Sequence, residues 1–294
     1  MSEPQTKYGI LVAVDGSPES DAAIRWATRE AALRSAPVTL IHVVTPGIES
    51  WSIATLQANF HEWQEDHTQQ VIEQALKTFH ASAGESQPPE VRTEVRHSGV
   101  LGALLEASRE AQMTVVGSRG IGAFGRAMLG SVSSGLLHHA HGPVAVVHAD
   151  EAQAPDPTSP VLLGIDGTSA SDEATTLAFD EASRRGVDLV ALHAWSDVGI
   201  VELMRMDWQQ YEDEGREVLR SRLAGRQQQY PTVKVRERVL CDQPARRLID
   251  ESQQAQLVVV GSHGRGGFTG MLLGSVSTKV AEAAKTPVIV VRPR

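Results

Sequence analysis

Cysteine is nearly missing from this chain: Cys241 stands alone among 294 residues. An internal disulfide is therefore impossible, a cysteine-built zinc site is out of reach, and Cys241 reads as a small packed hydrophobe. Positive charge is also short, with 27 Lys and Arg against 36 Asp and Glu and a net charge of −9. Nucleic acids and anionic membranes are held through basic stripes that release counterions, so neither is expected as a partner. A small anion stays open, because backbone N–H groups hold phosphate without formal charge. Long apolar runs are absent too; Val38–Val44 is strand-sized and cannot cross a bilayer. The opening residues MSEPQTKY carry no basic n-region before an apolar stretch. No secretory signal is expected, and the chain reads as cytoplasmic.

What the chain does contain is a repeat. Gly9–Ser17 (GILVAVDGS) matches Val161–Ser169 (VLLGIDGTS), setting Asp15 against Asp166 at an offset of 151. Val38–Val44 (VTLIHVV) matches Asp188–Ala194 (DLVALHA), His42 against His193. Met113–Gly120 matches Leu257–Gly264, and LGSVS recurs at Leu129–Ser133 and Leu273–Ser277, now at an offset of 144. The first half thus carries seven extra residues, expected within Thr45–Gln70. Ala149–Pro160 (ADEAQAPDPTSP) is acidic and proline-rich without apolar period, as an exposed linker would be. One domain is expected over 1–148, the linker over 149–159 and a second domain over 160–294.

Within each half, short apolar runs alternate with helical periods. Strands are expected near Tyr8–Val14, Val38–Val44, Val91–Val95, Met113–Gly117 and Val144–His148, rich in Val, Ile and Leu as in strands buried on both faces. Ser17 followed by Pro18 predicts a capped helix to Ser35. The second half predicts strands at 161–165, 188–194, 233–239, 257–261 and 287–292, with helices at 169–185, 205–229, 244–255 and 275–285. Five strands with intervening helices, twice, mean two doubly wound α/β domains.

The candidate chemistry lies in a loop. Gly117-Ser118-Arg119-Gly120, nine residues, then Gly130-Ser131 follows an apolar strand and opens a helix. Gly261-Ser262-His263-Gly264, nine residues, then Gly274-Ser275 repeats the spacing. Glycines admit close backbone approach, and a helix start offers unpaired N–H donors to phosphate. Ser131, Ser133, Ser275 and Ser277 are candidate hydroxyl donors, and Arg119, Arg126 and Arg265 candidate cations. A flexible connection with an ordinary serine cap would explain one such loop. Two copies of one length, beside a region that differs by seven residues, favour a ligand cradle. Asp15 and Asp166 end the first strands, where open parallel sheets bind ligands. If the first and fourth strands are neighbours, each aspartate faces its loop, and a carboxylate suits a ribose hydroxyl or base amine. Asp-Gly is also an ordinary turn pair.

With these motifs the chain resembles the universal stress protein family over about Lys7–His148 and Pro160–Arg292, as a tandem-domain member. The resemblance implies a five-stranded sheet in the order 3-2-1-4-5 and ATP, accompanied by Mg²⁺, in each half. Implied site residues in the first half are Ala13, Asp15, Val43, Gly117, Ser118, Arg119, Gly120, Gly122, Arg126, Gly130, Ser131, Val132 and Ser133. In the second they are Gly164, Asp166, Ala194, Gly261, Ser262, His263, Gly264, Arg265, Gly267, Gly274, Ser275, Val276 and Ser277. Val43 and Ala194 would offer backbone to the adenine, and the aspartates would meet the ribose or adenine end. The halves depart from each other where Val100-Leu101 replaces Asp242-Gln243-Pro244-Ala245, and where Arg119 replaces His263.

Other motifs carry less. Gly120-Ile-Gly122-Ala-Phe-Gly125 mimics a dinucleotide fingerprint but follows a late strand, and Thr269 breaks its copy. No Walker A sequence is present. His138, His139 and His141 suit a helix C-terminus, and Ala283-Ala284-Lys285-Thr286 replaces them in the second half, so a metal is not expected. His61 and His67 read as surface helix. The expected function is a nucleotide-binding regulatory protein acting on an unidentified protein partner in stress or growth control; the resemblance also allows a homodimer. The rival is a slow ATPase or phosphotransferase, which needs a group positioning the attacking atom and metal-holding carboxylates. No acidic residue besides the two aspartates recurs beside the loops, so no catalytic residue is named. A nucleotide-free scaffold is the third reading.

Overall fold

The apolar segments of the first half become parallel strands β1 (Gly9–Ala13), β2 (Val38–Val44), β3 (Val91–His97), β4 (Ala111–Gly117) and β5 (Val144–Val147). Helices α1 (Pro18–Arg34), α2 (Ala54–Ala83), α3 (Val100–Ser108) and α4 (Ser131–His139) alternate with them. The second half repeats the order as β6 (Val161–Ile165), α5 (Asp172–Arg185), β7 (Leu189–Ala194), α6 (Trp208–Gln229), β8 (Val235–Leu240), α7 (Pro244–Ser252), β9 (Leu257–Gly261), α8 (Ser275–Ala283) and β10 (Val288–Val291). The structure, a computed structural model, describes residues 6–46, 54–84, 88–121, 129–149, 156–168, 171–194, 208–240, 243–264 and 273–292. The chain divides into two compact units, Met1–Ala149 and Asp150–Arg294.

Strand order is β3-β2-β1-β4-β5 in the first unit and β8-β7-β6-β9-β10 in the second. Every registered pair within a unit is parallel. The order reverses between β1 and β4, and between β6 and β9, which opens a crevice at the carboxyl ends of those strands. In the first unit α1 and α2 cover one face of the sheet and α3 and α4 the other; α5 and α6, then α7 and α8, repeat this. Ile10, Leu11, Val12, Leu40, Val115 and Val146 are fully or almost fully buried, as strands covered on both faces require.

Local chemistry explains the helix boundaries. Ser17 is extended at the start of α1 and its Oγ accepts from Ser20 N at 3.1 Å, with Pro18 in the first turn. At its far end Ser35 turns left-handed (φ 50°), and Gly186 does the same after α5 (φ 66°). Each first helix also carries a buried ion pair one turn apart, Glu30 with Arg34 and Glu181 with Arg185.

Two expectations are corrected. β3 (VRTEVRH) is a half-exposed edge strand rather than one buried on both faces. Its alternating charges suit an edge, where they discourage further pairing. The expected helix 244–255 ends at Ser252.

Candidate functional site

In the first unit the chain leaves β1 at Val14 and turns through Asp15 and Gly16, whose φ of 81° requires glycine, into the Ser17 cap. Asp15 Oδ1 accepts from Ser17 N (3.0 Å) and Ser17 Oγ (2.6 Å). Its other oxygen, Oδ2, reaches across the crevice to accept from Ile121 N at 3.2 Å. The aspartate is therefore both the turn residue and the residue facing the loop. A Cβ on Gly120 would stand 2.4 Å from that same Oδ2, so the loop passes where no side chain fits.

The loop closes through its main chain. Ser118 N donates to Val147 O (2.7 Å), and Gly130 N returns to Ser118 O (2.9 Å). Gly130 caps α4 with no side-chain bond, and Ser134 N is the first amide to reach back, to Gly130 O at 2.9 Å. The amides of Ser131, Val132 and Ser133 consequently have no carbonyl within their helix, at its positive dipole end.

The second unit repeats this. Ser262 N donates to Val291 O (2.8 Å), Gly274 N to Ser262 O (2.7 Å) and Thr278 N to Gly274 O (3.0 Å). Asp166 Oδ1 accepts from Thr168 N (3.0 Å) and Thr168 Oγ1 (3.0 Å), and a Cβ on Gly264 would lie 3.0 Å from Asp166 Oδ2. Burial agrees: Asp15, Val43, Gly120, Gly130 and Val132 are half-buried, as are Asp166, Ala194, Gly264, Gly274 and Val276, while Ser131 and Ser275 are exposed.

Several expected site residues are held differently. The Ser133 hydroxyl donates to Gly117 O at 2.7 Å, and Ser277 Oγ bonds Ser262 O and Gly274 O at 3.3 and 3.4 Å. These hydroxyls tie the helix to the strand end, which leaves their amides as the donors toward a ligand. Arg119 Nη2 lies 3.0 Å from Glu19 Oε1, so its charge is already matched. Gly117 is packed: a Cβ there would meet Glu19 backbone and Cβ atoms at 2.7–2.8 Å, pointing into α1 rather than into the cradle. Gly164 is buried, its open side filled by Leu248 and Val260 at 3.1 Å, and Ala13 is half-buried at the end of β1. His263 Nδ1 and Ser262 Oγ share a 2.8 Å hydrogen bond. Gly261 ends β9. Gly122, Arg126, Arg265 and Gly267 lie outside the described residues, as do Cys241, Asp242 and His61 as a side chain.

Universal stress proteins are what this arrangement resembles in sequence, and a family model described as the universal stress protein family matches residues 9–148 and 158–292. The chain belongs to the universal stress protein family. It is 57% identical to a universal stress protein of Mycolicibacterium smegmatis over 294 residues, all of both chains. It is 50% identical to one of Mycobacterium tuberculosis over 293 residues, 99% of each. A universal stress protein from Archaeoglobus fulgidus superposes with a TM-score of 0.70 over 97% of this chain and 98% of that one; at 19% identity this speaks for the fold. The family membership covers both halves, so the repeat is a tandem of two universal stress domains.

The donor set fits a polyphosphate. Two glycines leave no room for side chains at the lip, three helix amides lack helical partners, and Ser118 Oγ is buried without a hydrogen-bond partner among the described residues. His138 Nδ1 bonds Ser134 O at 2.8 Å, within its own helix. No group of three or more His, Cys, Asp or Glu side chains that could hold a metal occurs among the described residues, and none of their helices is long and apolar enough to cross a membrane.

One pair of histidines recurs at matching places in the two halves. His42 and His193 are both buried and both bond to main chain beside the site aspartates. Their recurrence inside otherwise apolar strands was the available signal.

Proposed function

We propose that this universal stress protein is an ATP-binding regulatory protein with one nucleotide site in each unit. In the first site the amides of Ser131, Val132 and Ser133 would hold the phosphates, with Gly120 and Gly130 admitting them to the main chain. Asp15 would meet the ribose or base through the oxygen now bonded to Ile121 N. Ser275, Val276, Ser277, Gly264, Gly274 and Asp166 would do the same in the second. Mg²⁺ would accompany the phosphates and offset their charge.

The observation that carries this reading is the Asp15 carboxylate set 3.2 Å from the Ile121 amide across the crevice, with the same aspartate–glycine approach repeated at Asp166 and Gly264. A base end and a phosphate end thus face each other twice. Backbone addresses the base as well. Val38 N donates to Glu90 O and Ser98 N to Val44 O, so even-numbered residues of β2 address β3 and Val43 addresses β1. Registered pairs with β1 stop at Ala13–Ile41, which leaves the Val43 amide beyond the ladder.

Regulation rather than turnover is favoured because, among the described residues, no carboxylate besides the two aspartates recurs beside the loops. Mass spectrometry of small molecules released on denaturing freshly purified protein tests the proposal. Two adenine nucleotides per chain, one lost in Asp15→Ala and one in Asp166→Ala, is the expected result. Sustained phosphate release from ATP would instead favour the hydrolase reading, and no nucleotide by extraction or titration would remove both.

A further inference from the structure

His42 is the fifth residue of β2 and His193 the fifth of β7. Each is enclosed, at 8% and 1% exposure. Each turns Nδ1 onto the carbonyl oxygen of the residue directly before the site aspartate, Val14 O at 2.8 Å and Ile165 O at 2.7 Å. A carbonyl can accept and never donate, so Nδ1 carries the hydrogen in both rings.

The place of this bond gives it a consequence. Val14 N still donates to Ile41 O at 2.9 Å, but the β1–β2 register ends at Ala13–Ile41 and the Val14 carbonyl goes to the imidazole. In the second unit the register runs one pair further, to Ile165–His193, and the histidine bond is made all the same. The ring therefore does more than replace a missing rung of the ladder. It fixes the last peptide before the chain turns out of the sheet, and the next residue is the aspartate. The residue after the histidine is Val43 or Ala194, whose backbone flanks the same crevice. At His193 the covering helix passes close without a side chain: a Cβ on Gly215 would stand 3.5 Å from His193 Cδ2.

We propose that His42 and His193 are positioning residues for the two nucleotide sites, a proposal that rests on the ATP reading above. Each locks the peptide that precedes Asp15 or Asp166, and so sets the direction in which the carboxylate leaves the strand. A buried ring that merely filled space would be replaceable by another ring. A positioning ring is replaceable by another donor at the same place.

Two substitutions separate these roles. His42→Phe keeps the ring and removes the donor; His42→Asn loses the ring and keeps an N–H at the δ position. Calorimetric titration of the full chain with MgATP should show the first site weakened about tenfold or more in His42→Phe, the scale of one buried hydrogen bond. His42→Asn should recover most of that loss, and the second site should be unchanged in both. His193→Phe and His193→Asn should mirror this in the second site. In the wild-type chain, ring ¹⁵N spectra should show Nδ1-protonated imidazoles whose shifts move when MgATP is added. Unaltered affinity in His42→Phe, or a loss that His42→Asn fails to recover, overturns the proposal while the ATP reading stands. If His42→Phe does not fold, the ring spectra decide, because Nε2-protonated rings exclude the bond. A wild-type chain that binds no adenine nucleotide sinks the ATP reading and this proposal together.

Discussion

The two loops share their main-chain bonds and differ in their side chains. Both close from the first serine to the last strand and from the last glycine back to that serine, within 0.2 Å of each other in length (2.7 and 2.9 Å against 2.8 and 2.7 Å). Beside this common frame, Arg119 is matched by Glu19 in the first unit, while His263 bonds Ser262 in the second. Ser118 Oγ has no partner among the described residues, whereas its counterpart Ser262 Oγ is engaged. The lesson is that a duplicated fold preserves the amides facing its crevice and lets the charged rim diverge. Amide geometry follows from backbone path, which glycine and the strand end dictate; rim charges are set residue by residue.

The comparison can be broken most severely at the scaffold. Glu30→Ala and Glu181→Ala each leave a buried arginine without its carboxylate, and each should cost about 3–5 kcal/mol. Chemical denaturation of the two variants should give matching losses; a large loss in one alone would mean that the scaffolds are not equivalent. Next come the lip glycines. A methyl on Gly120 meets Asp15 Oδ2 at 2.4 Å, but on Gly264 it meets Asp166 Oδ2 at 3.0 Å. Gly120→Ala should therefore cost about 1–3 kcal/mol by overpacking, and Gly264→Ala distinctly less, in the same measurement.

A smaller effect sharpens the rim difference. Glu19→Gln removes the carboxylate that offsets the Arg119 charge beside the loop, so MgATP affinity at the first site should rise several-fold while stability changes by about 1 kcal/mol or less, as for a part-exposed pair. The position corresponding to Glu19 is Ala170, so the second site offers no matching gain. Titration of both sites in one isotherm checks this.

The smallest effects lie where the chain enters each unit, and they have opposite signs. Lys7 is raised from its ordinary pKa, first by its hydrogen bond to Tyr8, a bond of 2.7 Å. Its contribution is present at neutral pH and lost as pH rises through the folded value, above the usual lysine range. Asp156 is lowered, first by the Thr158 backbone N–H and then by its hydroxyl. That contribution is present above the usual carboxylate range and lost as pH falls through the lowered value. NMR titration should show the Lys7 side-chain signals changing at alkaline pH and the Thr158 amide at acid pH. The reverse assignment would refute this picture.

Much of this was legible in the residues. The offsets between halves, the strand-sized apolar runs and the Ser17-Pro18 cap set the element order, because local propensity and periodicity suffice for elements of that kind. The meeting of Asp15 with the Gly120 loop was foreseen on condition that β1 and β4 are neighbours, and the strand order satisfies that condition. β3 was harder: Val91 and Val95 look like a buried strand, but a place at the edge leaves Arg92 and even Val95 exposed, with Glu94 half-buried.

By itself the sequence determined two α/β units, their glycine spacing and the aspartates at the first strand ends. Tertiary structure alone decided which groups remain available there. It spends the Ser133 hydroxyl on Gly117 O, turns Gly117 toward α1, pairs Arg119 with Glu19 and puts His42 on the Val14 carbonyl. The physical reason is that spacing along a chain fixes backbone path, whereas a polar group's partner is whichever donor or acceptor the packed elements bring within about 3 Å of it.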